Sequence, residues 1–320
     1  MMSCSKDAEE REEGRRLASR LLPNEEEHWI ERAGARVRWL RLRAQERENA
    51  VGTIVLIHGA ASNASRWEEF VEKTPLKKDW DIIRVDLRCH AASVCRTRAT
   101  LEAWCADIEA ILNDAGVCDA VHVGHSLGAH VAMYFAAAYP QRVRALVLLD
   151  PLVTQALSDR ARAMRRRRPL LVLLEGAVRL ANRLGIRRRL QRQDLRAMDE
   201  AARVKIQKGG RELEAFIAEY SSVRSDLKYM HAADLLRDMI EVGRPSPAPE
   251  KLAAPALVIA STGGTYTDAA AMAQWVGRMP KGEIRAVHCA HWPLTECPLE
   301  VSRVIEEWLG GGKLSPDKAA

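Results

Sequence analysis

The sequence predicts an α/β protein: a mostly parallel sheet with an antiparallel hairpin at its N-terminal edge, helices on both faces, and one long helical insertion. Three observations predict it. Short runs are apolar on consecutive positions, segments of helical period lie between them, and over residues 152–252 this alternation gives way to charged segments of helical character. Consecutive apolar residues suit strands covered on both faces, as in a parallel sheet, whereas alternation suits a strand with one wet face.

Taken in order, the first 27 residues are charged and read as a polar helical extension. His28–Ala33 and Arg36–Ala44 alternate apolar and polar residues around Ala33-Gly34-Ala35, the pattern of a half-exposed hairpin. Thr53–Ile57, Ile82–Leu87, Ala120–Val123, Ala145–Leu149 and Ala256–Ala260 are the buried strands, and Glu283–His288 is a last one. Trp67–Thr74, Thr100–Ala115, Leu127–Tyr139, Ala269–Arg278 and Leu299–Leu309 have helical period. Strand and helix in alternation imply parallel pairing through helical crossovers. After Pro151 the alternation stops, and it resumes beyond the proline-rich GRPSPAPEK at 243–251. The expected organisation is an extension (1–27), a core (28–151 and 253–312) and an insertion (152–252).

With 320 residues, 47% of them hydrophobic, the chain has the size and composition of a globular enzyme. The charged N-terminus lacks a secretory pattern, and no stretch reaches the roughly 18 apolar residues of a membrane span, so a cytoplasmic protein is expected. Cys4, Cys89, Cys95, Cys105, Cys118, Cys289 and Cys297 are odd in number and lack metal-ligand or redox spacing. Reduced thiols are therefore expected, with no cofactor and no metal.

The chemistry gathers at Gly124-His-Ser-Leu-Gly128, where the strand Ala120–Val123 gives way to the helix Leu127–Tyr139. A serine on so tight a turn sits in a strained conformation, and side chains two positions to either side would clash. Ser126 is the candidate nucleophile. A serine hydroxyl needs a histidine to take its proton. His291, in Ala290-His-Trp-Pro293, follows the last strand, and the loop after a parallel strand is where such sheets carry reactive groups. His58, His90 and His125 also lie near strand ends. However, His125 is expected to point away from the elbow, and His58 belongs to a tight glycine turn.

Five motifs then fall in a familiar order: Ile57-His-Gly59, Asp86-Leu-Arg-Cys-His90, Gly124–Gly128, Leu149-Asp-Pro151 and His291-Trp-Pro293. Together they resemble the α/β-hydrolase superfamily, from His28 to Leu309 apart from the insertion. The resemblance implies the α/β-hydrolase fold, a catalytic triad, an oxyanion hole formed by the backbone N–H groups of Ala60 and Leu127, and a cap domain in the insertion. Trp67 is expected to pack rather than bind.

The chain departs from the family in two places. Most relatives carry the triad acid after the strand that follows the cap, in a pattern close to G-x-x-D, but here that segment reads Ser261-Thr-Gly-Gly264. Two acids remain. Asp150 ends the strand Ala145–Leu149 and resembles the position used by pancreatic-type lipases, which share the elbow Gly-His-Ser-Leu-Gly; it is the favoured acid. Asp268 lies in the usual loop four residues late, near a helix start where an aspartate is a routine cap. Secondly, relatives read D-x-R-G-H-G-x-S where Cys89 and Ala91 stand in place of glycines, so the turn is expected to adapt. Asp86 and Arg88 are expected to hold that loop.

The insertion is rich in arginine, with Arg165–Arg168, Arg187–Arg189, Arg192, Arg196 and Arg203. A solvated helical face is the plainest account of them. Contact with an anionic membrane surface is the next, because Arg165–Arg168 abut the apolar Pro169–Leu174, whose leucines could instead line an acyl pocket. Nucleic acid is disfavoured by the near absence of aromatic residues to stack on bases. The expected activity is that of a serine esterase or lipase acting on a small-molecule carboxylic ester, a lipid ester or thioester included, through an acyl-enzyme. Carbon–carbon bond hydrolysis uses the same residues and stays open. A catalytically silent hydrolase-like protein that binds a ligand or partner is the other reading, supported by the missing usual acid.

Overall fold

The computed structural model describes residues 2–95, 97–220, 222–263 and 266–311. Gly264, the glycine at the family's usual acid position, lies outside the described residues, as do Met1 and Gly312 at the ends of the expected segments. The chain opens with α1 (Met2–Leu17), and the hairpin follows as β1 (Glu25–Arg32) and β2 (Ala35–Leu42). Next come β3 (Gly52–Ile57), α2 (Glu68–Lys73), β4 (Trp80–Val85), α3 (Leu101–Asp114), β5 (Ala120–His125), α4 (Leu127–Ala138) and β6 (Val143–Leu149). The segment expected as one helix from Trp67 to Thr74 divides into a 3-10 turn, Ala64–Trp67, and α2, because Asn63 caps the turn by accepting from the Ser65 N–H.

Between β6 and β7 every regular element is helical: α5 (Asp159–Arg166), α6 (Arg168–Arg183), α7 (Leu195–Lys208), α8 (Gly210–Tyr220), α9 (Val223–Asp226) and α10 (Ala232–Val242). The chain then completes β7 (Ala256–Ser261), α11 (Ala269–Gly277), β8 (Gly282–Val287), α12 (Pro293–Glu296) and α13 (Pro298–Gly310).

The eight strands form one sheet in the order β1-β2-β4-β3-β5-β6-β7-β8. β1 pairs antiparallel with β2 and β2 with β4, and all other pairs are parallel. Strands buried on both faces split their side chains between two cores. Val55, Ile57, Leu146 and Leu148 pack with α3, α4 and α11, while Leu56, Val123, Val147 and Leu149 pack with α2 and α13.

Register then places the site. Ile57 lies beside Gly124, Gly124 beside Leu148, and Leu149 beside Ile259, so β3, β5, β6 and β7 end along one edge. Whatever follows those strands emerges there, at the edge where open α/β sheets bind ligands.

Candidate active site

Ser126 is held at φ 52° and ψ −111°, between the end of β5 and the first turn of α4. Positive φ is costly for a residue with a Cβ, and here the surroundings leave no alternative. A Cβ added at Gly124 would lie 2.4 Å from the Gly128 carbonyl, and one at Gly128 would lie 2.3 Å from the Ile57 oxygen. Both obstacles are backbone, so neither can move aside, and the spacing of the two glycines follows from that contact. The Ser126 N–H donates to the Leu149 carbonyl at 3.0 Å, tying the elbow to the end of β6.

The residue after Leu149 is Asp150, itself at φ 43°. Its N–H donates to Ile259 at 2.8 Å, and its Oδ1 accepts the Ser261 N–H at 3.1 Å, so β7 fixes the carboxylate from two sides. Its Oδ2 accepts from His291 Nδ1. A proton held on Nδ1 leaves the lone pair on Nε2, which lies 3.0 Å from Ser126 Oγ and accepts its hydroxyl proton. Ser126, His291 and Asp150 are all buried. Asp268 is elsewhere: its carboxylate accepts the Ala271 N–H at 2.8 Å as the N-cap of α11. Of the two candidate acids, the structure brings Asp150 to His291 and leaves Asp268 apart.

Several residues with no local sequence signal hold His291. Glu296 accepts the Ala290 N–H at 2.9 Å and the Trp292 N–H at 3.1 Å, bracketing the histidine. His125 does not point away from the site as expected. Its Nε2 donates to the His291 carbonyl at 2.9 Å, because the elbow turns the residue before the serine toward the last loop. Burial, reinforced by His291, pushes the His125 pKa down to about 3 and keeps that donor neutral. The Tyr266 ring packs edge-on to His291, and Trp292 meets Phe216 and Tyr220 of α8.

Beside Ser126, the loop after β3 comes close enough that a Cβ on Gly59 would lie 3.5 Å from the serine Cβ. Neither the Ala60 nor the Leu127 N–H donates to any acceptor among the described residues. Leu127 opens α4, where N–H groups lack partners within the helix and the dipole is positive. Ala61, which follows Ala60 and lies at φ 46°, donates its N–H to Asp238 of α10 at 3.1 Å. The same Asp238 oxygen lies 2.9 Å from His90 Nε2. Sequence reading missed Asp238, and its separation of 177 residues from Ala61 explains why. His58 serves the framework: its Nδ1 donates to the Gly59 carbonyl at 2.8 Å and its Nε2 accepts the Leu87 N–H at 3.0 Å.

The loop after β4 corrects two expectations. The turn does not adapt to its side chains: Cys89 keeps φ 66° and Ala91 φ 40°, the glycine conformation without glycine. Nor are all the cysteines reduced. Cys89 and Cys95 form a disulfide, since the Cys89 N–H to Ser93 hydrogen bond folds the chain back and brings their Cα atoms to 5.1 Å. Asp86 accepts the Ala64 N–H at 2.8 Å, and Arg88 grips Asp107 at 2.8 and 2.6 Å.

Comparison with known proteins agrees with the fold. Residues 52–298 match the family model of the alpha/beta hydrolase fold, and the chain belongs to that family. The lipase LipV of Mycobacterium tuberculosis is 37% identical over 100 residues, which cover 31% of this chain and 37% of that one. A 2-hydroxy-6-oxononadienedioate/2-hydroxy-6-oxononatrienedioate hydrolase of Paraburkholderia phymatum is 35% identical over 103 residues, 30% of this chain and 35% of that one. The match thus spans little more than a third of these relatives' length. A thermophilic esterase of Thermogutta terrifontis shares the fold, with a TM-score of 0.61 at 20% identity over 91% of this chain and 99% of that one. Among the described residues no helix is long and apolar enough to cross a membrane, and no cluster of side chains could hold a metal ion.

Proposed function

We propose that this chain is a serine hydrolase that cleaves a carboxylic ester through an acyl-enzyme. The observation that carries the reading is the unbroken run of hydrogen bonds from Ser126 Oγ to His291 Nε2 and from Nδ1 to Asp150. In this account Ser126 Oγ attacks the acyl carbon while its proton passes to His291, and the imidazolium so formed faces the Asp150 carboxylate. The carbonyl oxygen, now negative, takes the unpartnered N–H groups of Ala60 and Leu127. Collapse of the adduct expels the alcohol, which receives the proton from Nε2. Water, activated by the same nitrogen, then releases the acid and restores the serine.

The helical insertion acts as a cap that supplies the acyl site. A cavity of about 120 Å³ is lined by Leu152, Leu157, Leu171, Met239 and Tyr266, the last of which packs against His291. At roughly 30 Å³ per water-sized unit this suits a short apolar acyl group. The silent-protein reading drew its support from the missing usual acid, and Asp150 at His291 removes that support. Carbon–carbon bond hydrolysis, the activity in the Paraburkholderia relative's name, would use the same relay.

A fluorophosphonate probe tests the reading. Wild-type protein should be labelled and Ser126→Ala should not. Failure to label wild-type protein under conditions that label another serine esterase would overturn it. Turnover of p-nitrophenyl butyrate by a separate, unlabelled sample of the same protein separates ester from carbon–carbon chemistry, since reactivity toward the probe without ester turnover would point to the latter.

A further inference from the structure

Helix α6 has its polarity reversed. Its inward face carries Glu175, fully buried, with Arg98 at 3.1 Å, Arg237 at 3.2 Å and Arg179 all paired to its carboxylate. Its outward face carries Leu170, Leu173, Leu174 and Leu180, and continues past the helix end to Leu184 and Ile186. Their exposures are 62, 72, 48, 58, 75 and 70%. At 100° per residue, Leu170, Leu173, Leu174, Leu180 and Leu184 form one stripe opposite Glu175. Helices of water-soluble domains turn such a stripe inward. Most of the other large apolar residues among the described positions are buried, so an apolar patch of this length marks a contact surface.

The charges around the stripe say what kind of contact. Arg165 and Arg168 are engaged, donating to the Gly243 and Ile240 carbonyls at the end of α10. Arg166 and Arg167 at one end of the stripe, and Arg183, Arg187 and Arg189 at the other, are exposed and make no ion pair among the described residues, while Arg188 donates to the Leu227 carbonyl at 3.2 Å. Leucines flanked on both sides by unpaired arginines complement a surface with an apolar interior and an anionic skin.

We propose that α6, with the arginines at its two ends, seats this protein on an anionic lipid bilayer, its leucines entering the acyl region and its arginines meeting the headgroups. The cavity that Tyr266 lines is also lined by Arg168 and Leu171 in the first turn of α6, and by Arg165 of α5. Docking through α6 therefore places the lipid against a helix that lines that cavity. The docking surface does not depend on the hydrolase reading.

Co-sedimentation of the full chain with phosphatidylcholine vesicles, with and without about 30% phosphatidylserine, tests the proposal. Wild-type protein should bind the anionic vesicles at least tenfold more tightly at low salt, and this preference should fall at high salt. Leu173→Glu with Leu184→Glu should lose at least tenfold in binding while turnover of a water-soluble ester is unchanged, which also shows that the variant is folded. Ser126→Ala should bind as wild type does, so docking and hydrolysis can fail separately. The proposal is overturned by absent or equal wild-type binding to both vesicles, or by full binding of the double variant. It is equally overturned by a wild-type dimer that the double variant splits, because a second copy would then cover the leucines.

Discussion

The carboxyl edge of the sheet and the helical insertion both bury charge, but they fix it in different ways. At the sheet edge each polar group is held by backbone: Asp150 by Ile259 and Ser261, Ser126 by Leu149, and His291 through its flanking N–H groups on Glu296. In the insertion most of the partners are side chains from other parts of the chain. Glu175 draws on Arg98 and Arg237, Asp199 on Arg66 at 2.6 Å and Tyr220 at 3.1 Å, and Asp238 on His90. A backbone-held site tolerates little change in local residue type but is fixed by short motifs. A site held by side chains is open to recombination and leaves no motif at all.

That contrast can be broken at either end. The largest effect on stability is expected at the elbow, where Gly128→Ala drives a methyl into the Ile57 carbonyl. A loss of more than about 4 kcal/mol in urea denaturation, or failure to yield soluble protein, is expected. In the insertion, burial works against the Glu175 charge, but Arg179, Arg237 and Arg98 outweigh it and hold its pKa below the usual range. Glu175→Ala removes the carboxylate the three arginines share, but Arg179 keeps Asp234 and Arg237 keeps Glu241, so the loss should be about 1–3 kcal/mol. Hydrogen exchange should quicken across α6 and α10 while β5 and β6 stay protected; uniform loss would erase the distinction between the two regions.

Proton linkage separates the regions further. Burial opposes charge on His90, yet Asp238 at 2.9 Å outweighs it and raises its pKa. The stability from that pair is complete below the unfolded value of about 6.5 and is lost as pH rises through the raised folded value. Burial also pushes Asp226 and Asp234 up to about 7, so each lowers stability as pH climbs toward and through that value. All three lie at or against the insertion and act in the same direction. The core has the opposite sign, since burial depresses His122 and His130 to about 4 and their cost appears only as pH falls below about 6.5. The thermal midpoint should therefore drop by about 5 °C between pH 6 and pH 8, and by less in Asp234→Asn. A rise over that interval would contradict the linkage.

The smallest effect is expected at Ala91, whose φ of 40° suits glycine. Ala91→Gly relieves roughly 1 kcal/mol of backbone strain against a somewhat smaller entropy cost, so the urea midpoint should rise slightly. A clear fall would mean that the methyl packs usefully.

What could be read from the sequence follows the same division. The strands were visible because burial on both faces demands apolar residues at consecutive positions, as in the Ala145–Leu149 part of β6. Ser126 was visible because only glycines fit where Gly124 and Gly128 touch backbone. The position of Asp150 could be read from Leu149-Asp-Pro151, at a strand end whose register places it beside β7. The role of His125 could not, since it depends on where another loop brings the His291 carbonyl. Asp238, the Cys89–Cys95 pair and the outward face of α6 are likewise products of tertiary packing. Periodicity shows that α6 is amphipathic, but not which face meets the protein.

The central claim is that the acid behind His291 sits after β6 rather than after β7, and steady-state kinetics on Asp150→Asn and Asp268→Asn test it most directly. Asp150→Asn should lower kcat by about 10⁴-fold with the fold retained, as expected when the group orienting the base is lost. Asp268→Asn should leave kcat near wild type, since it alters only the N-cap of α11. Near-normal turnover by Asp150→Asn, or the larger loss in Asp268→Asn, would contradict the account.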